Sequence, residues 1–456
     1  MALLAQIGKE LPERYYLGID IGYREHVAVV ISLQVFLEAG ERWKRTRTLA
    51  FESTRAGLKR LQKYLDRFSP DRQAFLGICE PTGGYYGAAL YHYMLEQGYQ
   101  MLLIENATTR HVREKIFGST TKTDDMDARV MSRIAFLHEA VGEEFTLKPL
   151  RLPKPDDAEL LILCRTAWKL NGMLTRAKNQ FSQLMAVVFP ELKVFFESSV
   201  ARPVSVALMA TYPSPAEIAA APAQEVRTVL WEAKGYQHAK RVSELQALAR
   251  ESSGLLPDPT RAWRMNWLTH FLLMNFQAQN DIYKQIKRRL ILHPGYDLLK
   301  PIPYTGLTTL GTILGATGEI SRFRNYRRYI AYTGYFAGLE TSQTIDRTRM
   351  SKKGNRDLRR AYFQIAAPIV WFDRGQNPYK RLYERKMAEG RPWYKAMPFV
   401  CSALARHVYH CLKFEEPYDI KKAFNGSSFP PARGQAEIDL EANLEGSFQV
   451  MEAHSS

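Results

Sequence analysis

The chain opens with a tight alternation of apolar runs and turns. Residues 15–33 are predicted to form two strands joined by a turn: Tyr15-Tyr16-Leu17-Gly18-Ile19-Asp20 is mostly apolar and ends on an acid, and after Gly22-Tyr23-Arg24-Glu25 the stretch His26 to Leu33 is rich in Val and Ile. Residues 45–52 suit a third strand. Thr54 to Phe68 carries Leu58, Leu61 and Leu65 at helical spacing. Ala74 to Cys79 is a short apolar run of the kind found in buried strands, Gly83 to Gly98 patterns as a helix, and Gln100 to Ile104 as a strand. Two more helical stretches flank a loop at 117–123. The order βββαβαβα predicts an α/β domain over residues 14–145.

Beyond it the period becomes helical. Residues 157–200 place Leu160, Leu163, Trp168, Leu170, Leu174 and Phe181 on a repeating stripe, which fits a helix pair or coiled-coil arm as well as plain core. Pro213, Pro215 and an Ala/Pro-rich stretch to 223 mark a connector. Helical patterning resumes over 225–293 and breaks at Pro294-Gly295. These features predict a helical linker over 150–297, then a mainly α carboxyl-terminal domain over 298–415 that is helical and very basic. Residues 416–456 form the remainder, where Glu437, Asp439, Glu441, Glu445 and Glu452 follow Arg433 with no further Lys or Arg, an acidic tail.

Charge narrows the function. The 456 residues carry a formal charge of +16 despite the acidic tail, which favours a polyanionic partner, nucleic acid above all. Cys79, Cys164, Cys401 and Cys411 form no CxxC pair, so a structural zinc site is not indicated, and their scatter suits a reducing cytoplasm. No apolar run approaches the roughly 20 residues needed to span a bilayer, and the start MALLAQIGKELPER turns charged too soon for a signal peptide. The expectation is a cytoplasmic protein without a membrane partner.

Four carboxylates stand out. Asp20 and Glu80 end apolar strands, where loops and ligands meet in α/β sheets. Asp124 and Asp127, three apart, project from one helix face, whereas Asp125 lies about 100° round. Four carboxylates from two strands and one helix can hold two Mg²⁺ ions about 4 Å apart, one activating a nucleophile and the other stabilising a leaving oxygen. Each has a plainer reading. Asp124 after Thr123 suits a helix cap, and Glu80 before Pro81-Thr82-Gly83 suits an exposed turn. An acid between Ile19 and Ile21 on a buried strand is harder to explain without a task.

Taken in order, these segments resemble a known family. Gly18-Ile19-Asp20-Ile21-Gly22, the Glu80-Pro81-Thr82-Gly83 turn and Lys122-Thr123-Asp124-Asp125-Met126-Asp127-Ala128 resemble the DEDD insertion-sequence transposases of the IS110 family, which are related to Piv-type DNA invertases and are also described as bridge-RNA-guided recombinases. Ile302-Pro303-Tyr304-Thr305-Gly306-Leu307, Gly318-Glu319-Ile320-Ser321-Arg322-Phe323, Ala331-Tyr332-Thr333-Gly334 and Met350-Ser351-Lys352-Lys353-Gly354-Asn355 extend the likeness. It covers roughly 14–140 and 298–415. The resemblance implies a RuvC-like RNase H fold at the amino terminus and Asp20, Glu80, Asp124 and Asp127 as ligands to Mg²⁺, with Mn²⁺ as a substitute. It implies a serine nucleophile eight residues beyond the glycine of the Ala-Tyr-Thr-Gly segment, which is Ser342. Gln343 follows where the family has glycine, and Ser351 is the second choice.

The resemblance also implies donor and target DNA as substrates and a structured bridge (guide) RNA that pairs with both. It implies a homo-oligomer of dimers pairing into a tetramer, in which carboxylates and serine come from different subunits. The turn Pro303-Tyr304-Thr305-Gly306 resembles a helix-hairpin-helix, whose backbone N–H groups contact phosphates without reading sequence. Lys122, the cluster Arg322, Arg324, Arg327 and Arg328, and the cluster Arg347, Arg349, Ser351, Lys352, Lys353, Arg356, Arg359 and Arg360 are the expected phosphate contacts. Tyr326, Tyr329, Tyr332 and Tyr335 interleave with them at a spacing of three, which favours core over base stacking for most of them. Two rivals remain at this level: a RuvC-like metal-dependent endonuclease using water, and a non-catalytic nucleic-acid-binding protein.

Overall fold

A computed structural model describes residues 13–424, leaving aside 38–40, 82–85, 117, 119–121, 142–144, 146, 198, 256–257, 336, 343–344, 351–353 and 374–376, together with the side chains of 116, 141 and 337–350. The chain divides into two compact units, Met1–Leu152 and Pro153–Ser456.

The first unit is built on a six-stranded mixed sheet in the order β3-β2-β1-β4-β5-β6. The strands are β1 (Tyr15–Ile21), β2 (Glu25–Ser32), β3 (Leu49–Glu52), β4 (Phe75–Cys79), β5 (Gln100–Leu103) and β6 (Lys148–Pro149). β1 pairs antiparallel with β2 and parallel with β4, and β4 is parallel to β5. A parallel pair needs a crossover, and helix α1 (Arg55–Leu65) lies in the connection from β3 to β4 and α2 (Ala88–Glu96) in that from β4 to β5. The third strand, expected over 45–52, spans Leu49–Glu52, and a 3₁₀ turn at Arg42–Arg45 precedes it. The helix expected from residue 83 is described from Ala88. β6, which pairs with β5 and carries the sheet past residue 145, has no counterpart among the expected elements, since two residues are too few to show a pattern.

Each face of the sheet is covered. On one, α1 and α2 pack on Leu17, Ile19, Ala28, Val30, Phe75 and Cys79. On the other, helix α3 (Asn106–His111), the π-helical turn Val112–Ile116 and helix α4 (Asp124–Val141) enclose Tyr16, Val29, Ile31, Ile78 and the buried stripe Ala128, Met131, Ile134 and Ala135. Gly18 makes this second layer possible. A Cβ there would stand 1.9 Å from the Ala128 carbonyl oxygen, so only glycine lets α4 lie directly on β1. Ser132 Oγ then donates to the Tyr16 carbonyl at 2.7 Å, and the Tyr16 hydroxyl to Glu139 at 2.6 Å.

The second unit is helical apart from one two-stranded hairpin. Two helices of 34 residues each, α5 (Pro155–Val188) and α6 (Pro259–Leu292), pack along one another. Of residues 157–200, those up to Val188 lie in the single helix α5, whose partner α6 comes from beyond the connector, and the shorter helices between residues 192 and 250 form with the far end of α5 and α6 a core around Phe181, Phe189, Phe195, Leu208, Leu230 and Leu268. The near end joins a second core with helices α7 (Leu307–Thr317), α8 (Tyr326–Thr333), α9 (Arg356–Trp371), α10 (Pro378–Ala388) and α11 (Trp393–Phe414). Tyr329 and Tyr335 are buried there and Tyr326 and Tyr332 pack against it, so the tyrosine series is core. The hairpin of β7 (Ala337–Ser342) and β8 (Ile345–Met350) interrupts a stretch expected to be helical. In its first strand Ala337, Leu339 and Thr341 alternate with Gly338, Glu340 and Ser342, a period of two, and the second strand pairs with it along its whole length. Among the described residues no helix is long and apolar enough to cross a membrane. The acidic stretch beyond residue 424 lies outside the described residues.

Candidate active site

The carboxylates meet at one end of the first sheet. Asp20 is the penultimate residue of β1, Glu80 follows the last residue of the adjacent parallel strand β4, and Asp124 opens α4. Because β1 and β4 run the same way, both acids emerge at the same edge, and the close approach at Gly18 brings the first turn of α4 above them.

Electrostatics record this proximity. Burial pushes the Asp20 carboxyl up to about 7, and the negative charges of Asp124, Asp127 and Glu80 push it the same way. Glu80 is also raised, chiefly by burial and further by Asp127, while the Thr109 hydroxyl and the cations of Lys122 and Arg113 oppose the shift. The charges of Asp124, Asp127 and Glu80 thus all reach Asp20, and those of Asp127 and Lys122 reach Glu80.

Asp124 is not the cap of its own helix. Thr123 fills that role, its hydroxyl accepting from Met126 N at 3.2 Å and its carbonyl accepting from Asp127 N at 3.0 Å. The Asp124 side chain is exposed and has no capping duty. Asp125 points away, as its place on the helix requires, and accepts a hydrogen bond from Thr48. Asp127 is buried and ion-paired with Arg113, which rises from the π-helical turn and is itself buried. Short π-helical segments often mark functional sites.

Arg113 is the neighbour of these acids that sequence reasoning missed. Its only signal is a charge inside Val112-Arg113-Glu114-Lys115-Ile116, which reads as an ordinary amphipathic turn.

The donor types suit a divalent cation. A buried acid raised by three like charges is a concentration of negative charge that a hard cation would relieve, and its oxygen-only donors suit Mg²⁺ or Mn²⁺. Among the described residues no three of these side chains converge tightly enough to form a ready ligand set. Asp127 is instead engaged by the Arg113 guanidinium, whose Nε is buried with no hydrogen-bond partner among the described residues.

The second set of expected residues lies in the other unit. Ser342 ends β7, with its backbone opposite Ile345 across the hairpin. Two glycines close the base of this hairpin. Gly334 (φ 81°) leaves α8, and Gly354 (φ 113°) precedes α9, both in the left-handed region that glycine tolerates. They are in backbone contact: a Cβ on Gly354 would lie 2.8 Å from the Gly334 Cα. Asn355 N donates to the Tyr332 carbonyl at 2.6 Å, and the Asn355 side chain caps α9 through Asp357 N and Leu358 N. The Ala-Tyr-Thr-Gly and Gly-Asn motifs are therefore the two sides of one clasp. Ser351, Lys352 and Lys353 lie outside the described residues, and Arg347 and Arg349 are placed as backbone in β8.

The remaining basic residues divide by what they touch. Arg322 lies over the rings of Phe323 and Tyr332, each at 4.6 Å, and Arg360 over Trp168 at 5.5 Å. Arg359 packs against Gly334. Arg324, Arg328 and Arg356 are exposed, and Arg327 is half-buried. The turn at Pro303–Gly306 places Tyr304 at φ 59°, exposed, and Gly306 caps α7 without a side-chain acceptor.

Comparison with known proteins decides between the rival readings. Residues 17–190 match the DEDD transposase family of IS110 type, and residues 296–381 match the IS116/IS110/IS902 transposase family. This chain belongs to the IS110 family of transposases. An "Insertion element IS110 uncharacterized 43.6 kDa protein" of Streptomyces coelicolor is 24% identical over 285 residues, covering 62% of this chain and 68% of the relative. The IS110-family chain is thus a DNA transposase, an enzyme of transposition and recombination whose substrate is DNA. Transposases of the DEDD type work with a divalent metal. The four carboxylates fall within the first matched segment and Ser342 within the second.

Proposed function

We propose that this transposase cuts and rejoins DNA strands through Ser342, supported by Mg²⁺ held by Asp20, Glu80, Asp124 and Asp127. The observation that carries the reading is Asp20, an acid raised by burial and by three other acids on a sheet edge. Such an arrangement costs the fold stability and is expected only where a cation offsets it.

A divalent ion there would neutralise these charges and make a bound phosphate more electrophilic. The chain's own residues set the rest. Ser342 Oγ loses its proton and bonds to phosphorus, one DNA P–O bond breaks, and the departing oxygen takes up a proton to leave as a hydroxyl. The phosphoserine ester retains the phosphodiester's energy, so the reverse step with a different DNA hydroxyl joins new partners and restores the serine. Hydrolysis by water would discard that energy, which suits recombination less well. Ser342 stands at the end of a strand whose hairpin is clasped at its base by Gly334, Gly354 and Asn355. This clasp fixes where the serine-bearing segment leaves the helical core.

Phosphate binding in this reading is shared by Lys122, the turn Pro303-Tyr304-Thr305-Gly306, Arg322, Arg324, Arg327 and Arg328, and the stretch Arg347, Arg349, Ser351, Lys352, Lys353, Arg356, Arg359 and Arg360. A bridge RNA that pairs with donor and target, and assembly through dimers to a tetramer, complete the proposal. Trapping with labelled DNA tests the nucleophile. Wild type is expected to form a covalent protein–DNA adduct that Ser342→Ala abolishes, and an adduct persisting in that variant assigns the attack elsewhere. Sequencing the nucleic acid that copurifies tests the guide: one discrete RNA supports it, and random RNA contradicts it.

A further inference from the structure

The segment between the two family-matched portions carries a basic groove that none of the expected phosphate contacts includes. Gln277, Asn280, Lys284 and Lys287 follow one another at intervals of three and four along α6, so they share one face of the helix. With Lys234 from the turn after helix Ala223–Glu232, and with Tyr283, they line a cavity of about 450 Å³. The cavity ends on Leu307, the first residue of α7, directly after the Pro303–Gly306 turn.

Its chemistry is one-sided. The lining has three lysines, two amides and a phenol, and no carboxylate. Among the described residues neither Lys234 nor Lys287 forms an ion pair, whereas Lys284 lies 3.6 Å from the exposed Asp281, which also accepts from Gln277. All three lysines are exposed, so core packing does not account for them. Lys234 also sits at φ 60°, in a left-handed position where the following residue, Gly235, would be the cheaper occupant. The backbone accepts that cost and sets an ammonium on the rim of the groove.

We propose that this groove binds the phosphodiester backbone of nucleic acid, extending the phosphate contacts of the Pro303–Gly306 turn onto the middle of the chain. Lysine ammoniums and amide N–H groups recognise phosphate oxygens without reading sequence, and the regular spacing along α6 suits successive phosphates. Lys234 and this face of α6 are then a nucleic-acid-binding surface within the linker. This inference rests on the chain being a DNA transposase and is independent of the carboxylate and serine chemistry, which stands if the groove binds nothing.

The test uses the full chain and two probes of unrelated sequence, a short DNA duplex and an RNA hairpin, titrated from about 50 to 200 mM salt. The variant Lys234→Ala/Lys284→Ala/Lys287→Ala is compared with Lys59→Ala/Lys63→Ala/Lys193→Ala, which removes the same charge from exposed positions elsewhere. The groove variant is expected to lose about tenfold in affinity or more and to flatten the salt dependence by about two to three in log–log slope, with the control close to wild type. Loss confined to the duplex or to the hairpin supports the groove and names its strand. Equal losses in the two variants reduce the effect to net charge and overturn the proposal, as does unchanged binding by the groove variant.

Discussion

The two places that carry the proposed chemistry are held in opposite ways. The acids of the amino-terminal unit sit at the ends of packed elements, with β1 near the sheet centre and α4 pressed on it through Gly18. Ser342 sits at the end of a two-stranded hairpin clasped at its base by two left-handed glycines. A cluster of like charges has to be placed by rigid packing, because left to itself it would spread apart. A nucleophile that serves two successive attacks needs only a fixed point of attachment. The contrast also predicts opposite responses to pH and to substitution.

The largest effect is expected at Gly18. Gly18→Val drives a side chain into the Ala128 carbonyl, where even a Cβ would stand at 1.9 Å. Overpacking of this kind costs about 1–3 kcal/mol or more, so thermal unfolding should fall steeply and strand transfer vanish. A variant as stable as wild type would show that α4 does not need this contact. The clasp comes next. Gly334→Ala and Gly354→Ala each place a Cβ in a left-handed backbone and against a neighbour, for roughly 1–2 kcal/mol each. Protein–DNA adduct formation should suffer in both variants while divalent-ion binding stays intact; loss of both together would mean the two regions are not separable.

Opposite pH slopes are a smaller and sharper test. The folded state holds the Asp20 carboxyl up to about 7, so the folded first unit binds a proton more tightly than the unfolded chain. Without divalent ions its stability should fall as pH rises from about 4 to about 7. In the second unit burial, helped by the charges of Arg406 and His410, holds His407 down to about 3, and burial likewise lowers His410 to about 4. That unit should instead lose stability as pH falls below about 6.5. Hydrogen exchange resolved along the chain reads both slopes at once. Asp20→Asn should flatten the first and, in chelator, stabilise the first unit by on the order of 1 kcal/mol. An unchanged slope in that variant would place the pH response elsewhere.

Much of this was legible in the sequence, and the exceptions have physical causes. Asp20 showed itself as an acid between two isoleucines, and helix periodicity separated Asp124 and Asp127 from Asp125, which the structure turns toward Thr48. The tyrosine series read as core because its period matches a helix face. Arg113 was hidden because a buried ion pair needs both partners in view, and residues 113 and 127 meet only through the fold. The hairpin was hidden by its arginines, which look like a basic helix, and only its first strand, with Ala337 and Leu339 at alternate positions, carries a period of two. The lysine groove needed Lys234 and Gln277 of α6 brought together across the 42 residues between them.

The central claim is that Asp20, Glu80, Asp124 and Asp127 act together on a divalent ion. Manganese binding followed by electron paramagnetic resonance on the full chain tests it most directly, with Asp20→Asn, Glu80→Gln, Asp124→Asn and Asp127→Asn set beside Asp125→Asn. Wild type and Asp125→Asn should bind the ion alike, and each of the other four should weaken binding about tenfold or more. Equal binding by all five variants, or a loss in Asp125→Asn as large as in the rest, would contradict the account.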